Sequence, residues 1–144
     1  MKLETLEKLL KTHFNIMAIE TLNAASISDT LRQYSNLSGI PVYVWNQGQG
    51  LNRQDLPQVK IPQTSTSLQV LNHIQKNKQH HIFILNNFAK YLDNTFNEQA
   101  LLNICPLQHS KVILVDKKID LSKKFRGLAI ETKNLFKMKL QRAA

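Results

Sequence analysis

The stretch Ile82-Phe83-Ile84-Leu85 decides the fold class of this 144-residue chain. Four consecutive apolar residues, with no polar residue between them, are typical of a strand that is buried on both faces. Such a strand needs a covering layer on each side, and helices supply it in α/β proteins. The stretch therefore predicts a sheet that lies between two layers of helices.

Further strands and helices are predicted on both sides of this stretch. The other predicted strands cover residues 15–20, 41–45, 111–115 and 128–130. The predicted helices cover residues 3–13, 28–38, 65–77 and 97–104, with a helical turn at 121–125 and a basic helix at 135–141. Residues 46–64 contain two glycines, two prolines and several amides, which predicts a long loop.

This alternation of strands and helices implies right-handed crossovers and a mostly parallel sheet. We therefore expect a single α/β domain over residues 1–144, built as a three-layer sandwich around about five strands.

The charge of the chain is strongly uneven. The formal net charge is +9, and residues 111–144 hold ten Lys or Arg against three Asp or Glu. Such asymmetry predicts an acidic partner, namely nucleic acid, an acidic protein or a membrane surface, although a solvated tail would show the same pattern. The side chains assigned to this binding surface are Lys117, Lys118, Lys123, Lys124, Arg126, Lys133, Lys137, Lys139 and Arg142, of which the last four lie in a basic C-terminal segment over residues 133–144.

Several classes of protein are excluded. No run approaches the roughly 20 apolar residues of a membrane span, and the first ten residues resemble neither a signal peptide nor a transit peptide. The single cysteine, Cys105, has apolar neighbours and is typical of a reducing compartment. His80 and His81 precede a strand and so lie at the end of the sheet opposite the expected ligand site, and Cys105 and His109 have no second ligand pair nearby for zinc. We expect a cytoplasmic protein without metal or cofactor.

Polar residues that follow the predicted strands mark a candidate crevice. Ligands bind open α/β sheets outside the carboxyl ends of the strands, which selects Glu20, Trp45, Asn86 and Asp116. In a small enzyme, Glu20 and Asp116 would act there as acid and base. Each residue also has a structural role open to it: Trp45 in the core, Glu20 as a charge at a helix N-terminus, Asn86 in a turn, and Asp116 in an ion pair with Lys117 or Lys118.

The usual phosphate-binding residues are missing after the first strand. A P-loop needs glycines that let backbone N–H groups wrap the phosphates, and a lysine that reaches their charge. Residues 20–28 contain neither, and Gly48-Gln49-Gly50 lacks the third glycine of a dinucleotide-binding turn. We therefore expect a chain that neither binds nor hydrolyses ATP.

Several stretches together resemble a known family. They are similar to the N-terminal region of the AAA-ATPase-like proteins of cyanobacteria and algal plastids. The stretches are residues 3–10 (LETLEKLL), 15–21 (NIMAIET), 42–51 (VYVWNQGQGL) and 82–88 (IFILNNF). The resemblance implies a P-loop-NTPase-like fold that has degenerated. Asn86-Asn87 stands where that fold carries the acid for magnesium, so the resemblance implies a stand-alone, non-catalytic relative.

The function expected from these features is a binding or adaptor module on an ATPase-like scaffold. It would engage an acidic protein or nucleic acid through the basic C-terminal surface, with a larger ATPase as a further possible partner. Two alternatives stay open: a small enzyme with Glu20 and Asp116 in its site, and a structural subunit that pairs with a larger ATPase through its sheet edge or its 46–64 loop.

Overall fold

The computed structural model describes residues 1–133 and shows a seven-stranded sheet. The strands are β1 Ile16–Glu20, β2 Val42–Asn46, β3 Gly50–Arg53, β4 Lys60–Ile61, β5 His81–Asn86, β6 Ser110–Asp116 and β7 Ala129–Glu131, in the order β4-β3-β2-β5-β6-β1-β7. The five strands from β2 to β7 in that order are parallel, and β3 and β4 add an antiparallel edge.

Within residues 1–133, four α-helices cover the two faces of the sheet. They are α1 Leu3–Leu10, α2 Ala24–Ser38, α3 Ser67–Lys76 and α4 Thr95–Ile104, with 3-10 turns at Ala89–Asp93 and Lys123–Phe125. The apolar residues of α1 and α2 pack on one face, and those of α3, α4 and both 3-10 turns pack on the other. The predicted three-layer α/β sandwich is confirmed.

The deciding stretch is buried as predicted. Ile82 and Ile84 of β5 belong to the core under α1 and α2, whereas Phe83 and Leu85 belong to the core under α3 and α4. All four side chains are at most 2% exposed. Successive side chains of a strand point to opposite faces, so a continuous apolar run fills both cores at once.

The prediction of a loop through residues 46–64, and with it of about five strands, is wrong. Residues 50–53 and 60–61 form β3 and β4, which extend the sheet beyond β2. Thr64 anchors this hairpin, because its Oγ1 accepts the Leu51 N–H (2.8 Å) and its carbonyl accepts the indole N–H of Trp45 (2.7 Å). Tertiary hydrogen bonds thus outweigh the turn-forming composition of the segment.

Several helix boundaries also differ from prediction, among them those of α3, which covers Ser67–Lys76 rather than 65–77. α1 ends at Leu10, and the Thr12 hydroxyl donates to the Leu9 carbonyl just beyond it. α2 begins at Ala24 because the Asn23 side chain caps it. α4 begins at Thr95, capped by Asn94 rather than Asn97, whose buried amide donates to the Tyr91 carbonyl.

The remaining predicted elements are found or lie outside the described residues. The turn at 121–125 is the 3-10 turn Lys123–Phe125, and the fifth predicted strand is β7. The predicted helix over 135–141 lies beyond residue 133. Within residues 1–133 no helix has the length and apolarity that crossing a membrane requires.

Candidate functional site

The strand order places one crevice at the carboxyl edge of the sheet, the edge where the parallel strands end. After β1 the chain enters α2 on one face, and after β6 it passes to the 3-10 turn Lys123–Phe125 on the other face. Adjacent strands whose connections leave on opposite faces open a crevice between their ends. Glu20 and Asp116 are direct neighbours there in the β1–β6 register.

The Glu20 carboxylate is bound by the chain itself. Its Oε2 accepts the backbone N–H of Ile119 (2.8 Å) and lies 3.8 Å from the Lys133 ammonium. Ile119 is only 1% exposed, so the segment after β6 folds back over the end of β1. Glu20 therefore holds this returning segment in place.

Asp116 is engaged in the same way. Its Oδ1 accepts the backbone N–H of Lys117 (2.7 Å) and its Oδ2 accepts that of Ala89 (3.3 Å). The Asp116 carbonyl accepts the N–H of Thr21 (2.9 Å). The two carboxylates of the crevice thus fasten the connections that form its walls.

The N-terminus of α2 has no room for a phosphate cradle. Only three residues, Thr21 to Asn23, connect β1 to α2. The Asn23 Oδ1 accepts the Ser26 N–H (3.2 Å), one of the N–H groups that a phosphate would bind at a helix N-terminus. Sequence reasoning did not single out Asn23 as the cap, although an asparagine before Ala24-Ala25 is a usual N-cap signal.

The structure separates the other two crevice candidates. Asn86 ends β5, and its Nδ2 lies 3.4 Å from the Asn46 Oδ1 at the end of β2, so both amides border the carboxyl edge. Trp45 is 0% exposed and its ring packs edge-on against Phe88 and Tyr91. This corrects the assignment of Trp45 to the crevice, because its side chain belongs to the core.

Five of the predicted basic residues lie between β6 and β7, on a segment that we call the basic connection. Their side chains are all exposed: Lys117, Lys118, Lys123, Lys124 and Arg126. Lys118 lies 3.6 Å from Asp120, and Lys124 lies 3.3 Å from Glu98 in the first turn of α4. Lys137, Lys139 and Arg142 lie outside the described residues.

Lys133 has a different environment from the basic connection. Its ammonium lies 3.1 Å from Asp120, 3.4 Å from Glu131 and 3.8 Å from Glu20, and it donates to the Ile119 carbonyl (2.8 Å). Burial opposes its charge, but the bond to Asp120 and the neighbouring carboxylates hold the pKa of Lys133 above its usual value. Lys133 therefore joins the chain after β7 to the basic connection.

The histidines lie away from the crevice. His80 and His81 precede or begin β5, so they lie at the amino edge of the sheet, where the parallel strands start. Among residues 1–133 no three His, Cys, Asp or Glu side chains are placed to hold a metal ion. Lys76 and Lys78, which sequence reasoning did not single out, line a groove at that edge.

Two comparisons with known proteins bear on this geometry. None of the curated proteins matches the chain. A protein-family model described as the SpoVK-like AAA ATPase, N-terminal domain, matches residues 2–130. That match covers every strand of the parallel core up to the middle of β7, together with both walls of the crevice. The chain belongs to the family of SpoVK-like AAA ATPase N-terminal domains.

Proposed function

We propose that this domain is a non-catalytic binding module that holds an acidic protein partner through the basic connection. One observation carries the proposal: the carboxylates of the crevice accept backbone N–H groups of the domain's own connections. Because these carboxylates already hold the domain's own backbone, we infer that the domain contributes to an AAA ATPase by binding a partner rather than by catalysis. The restriction to cyanobacterial and plastid proteins stays a prediction.

The contacts of Glu20 and Asp116 argue against the enzyme alternative. A general acid or base must reach the proton of a bound substrate within hydrogen-bond distance. Glu20 and Asp116 already accept three backbone N–H groups between them. Freeing either carboxylate would unfasten the segment around Ile119 or the turn at Ala89, so both are better suited to structural work.

The basic connection has an apolar neighbour that favours a protein partner. Phe96 in the first turn of α4 is 72% exposed, and Glu98 in the same turn pairs with Lys124. An exposed aromatic side chain in the helical turn that pairs with Lys124 fits an acidic segment that carries an apolar anchor. Position ahead of an ATPase would let such a module select what the ATPase receives.

The proposal is tested with a displayed library of acidic peptides that contain apolar residues. Selected peptides should bind the wild-type chain and lose at least about tenfold in affinity, or 1.4 kcal/mol, with the triple variant Lys123→Glu, Lys124→Glu, Arg126→Glu. Phe96→Ala should weaken the same peptides. The matched control is Lys2→Glu, Lys8→Glu, Lys11→Glu, which changes the charge equally on exposed positions at the two caps and in the last turn of α1.

Nucleic acid is tested in parallel. Duplex, single-stranded and tRNA-like probes are titrated over a salt series, where each phosphate contact adds about 0.7–0.9 to the slope of log affinity against log salt. If a nucleic-acid probe binds the wild-type chain but not the triple variant, and no acidic peptide is selected, the partner is nucleic acid rather than an acidic protein. Equal binding by the triple variant and the control would remove the basic connection from the function.

A further inference from the structure

A second surface, at the amino edge of the sheet, has the composition of an anion site. A groove of about 420 Å³ opens there between the last turn of α3 and the starts of β2 and β5. The side chains that matter for its chemistry are Tyr43, His73, Lys76, Asn77, Lys78 and His81. Its volume lies within the range of small-molecule sites. We call it the cationic groove.

The charges that line the cationic groove are all of one sign. Lys76 and Lys78 are exposed and His73 and His81 are half-buried, and no carboxylate is among the lining side chains of this part of the chain. Arg53 in β3 adds positive potential at His81, although Asp55 pairs with it at 2.7 Å. The local field therefore attracts anions.

The helix dipole explains only part of this cluster. Basic side chains in the last turn of a helix interact favourably with its carbonyl end, which accounts for His73 and Lys76 in α3. Lys78 and His81 lie beyond the end of α3 and outside its last turn. Their convergence on the same groove needs another reason.

The wall of the groove is aromatic. The Tyr43 ring lies 5.0 Å from the His81 ring and 5.7 Å from the Phe83 ring, measured between centroids. Burial lowers the pKa of His73. Burial also lowers the pKa of His81, and Arg53, His73 and His80 lower it further. In the neutral form that a lowered pKa favours, each imidazole still offers one N–H to an anion.

We propose that the cationic groove binds a small ligand that carries linked phosphates. Ammonium groups are compact point charges that bind phosphate oxygens, as the lysine of a P-loop does. Two lysines and two imidazoles that line one groove suit a diphosphate, whose charge is spread over two centres. The diphosphate can be inorganic or the tail of a nucleotide, and the aromatic wall would contact a base only in the second case.

The test uses calorimetry on the full chain with pyrophosphate and, separately, with ADP, both without magnesium and at about 0.1 M salt, where distant surface charges are screened. Pyrophosphate should bind, and Lys76→Gln with Lys78→Gln should weaken it about tenfold or more. The matched control, Lys2→Gln with Lys8→Gln, removes the same charge from α1 and should change affinity by less than about twofold. Tighter binding of ADP assigns the site to a nucleotide, and equal binding assigns it to the inorganic ligand.

Several results would overturn the proposal. The first is that pyrophosphate does not bind even in the millimolar range. The second is an equal loss of pyrophosphate affinity in the two double variants, and the third is a Glu-rich peptide that binds as tightly as pyrophosphate. Amide NMR locates the ligand: the N–H signals of Asn77 to Gln79 should move, and movement confined to Thr21 to Ser28 would contradict the groove. The proposed function concerns the basic connection, none of whose lysines or arginines lines the cationic groove, so the two outcomes are distinguishable.

Discussion

Thr64 is the residue on which the antiparallel edge of the sheet depends. It is 1% exposed, and its hydroxyl accepts the Leu51 N–H while donating to the Ile61 carbonyl (both 2.8 Å). Gly50 fits beside it because a Cβ there would approach the Thr64 Oγ1 to 3.0 Å. One buried hydroxyl therefore fixes both strands of the hairpin.

Replacing Thr64 by valine should destabilise the protein by about 1–3 kcal/mol, because the buried Leu51 N–H loses its acceptor. The measurement is urea unfolding followed by circular dichroism. The control is Thr95→Val, which makes the same change at an exposed position in α4 and should stay within about 0.5 kcal/mol of wild type. Equal stability of both variants would show that Thr64 does not anchor the hairpin.

At the scale of elements, Lys133 connects the chain after β7 to the segment that follows β6. Its bond also holds the pKa of Asp120 below its usual value of 3.8, with a smaller contribution from Lys118. A carboxylate with a lowered pKa in the folded state contributes stability that is present above 3.8 and is lost as the pH falls through the folded value. The raised pKa of Lys133 contributes stability that is fully present below 10.5 and is lost as the pH rises through the folded value.

Lys133→Met should therefore lower the free energy of unfolding at neutral pH, and the difference from wild type should shrink as the pH falls below 3.8. Urea unfolding over pH 2 to 8 measures this. Lys118→Met serves as the control and should change the stability less, because Lys118 is 81% exposed and lies 3.6 Å from Asp120. A difference between Lys133→Met and wild type that does not change with pH would contradict the link to Asp120.

The elements that the sequence predicts correctly are those with a continuous or periodic apolar pattern. β5 and β6 fill two cores, so their patterns identify them without tertiary information. The first turn of α2 was not predicted, because Ala24 and Ala25 are exposed and the apolar periodicity of the helix begins only at Ile27. β3 and β4 are short and depend on Thr64, a contact that composition does not contain.

At the scale of the whole molecule, the carboxyl-end rule located Glu20 and Asp116 correctly as neighbours. It did not predict their contacts, because these require the segment around Ile119 to return over β1 and Lys133 to reach it from β7. Lys133 was predicted to bind a partner, yet its ammonium lies among three carboxylates of the domain. Charge counted along the sequence does not distinguish these two roles.

The two edges of the sheet therefore differ in chemistry. The carboxyl edge uses its polar groups to fasten the domain's own connections, whereas the amino edge leaves lysines and imidazoles around an open groove. An ATP-binding domain of this architecture would show the opposite distribution, with phosphate-binding groups at the end of β1. The central claim is that the carboxyl edge is closed to nucleotide.

The most direct test of that claim is amide NMR of the isotope-labelled full chain titrated with ATP and magnesium. The signals of Thr21 to Ser28, which cover the connection after β1 and the first turn of α2, are predicted to stay in place at physiological ATP concentrations, whatever happens at Asn77 to Gln79. Saturable movement of the Thr21 to Ser28 signals, with a dissociation constant in the millimolar range or tighter, would contradict the account.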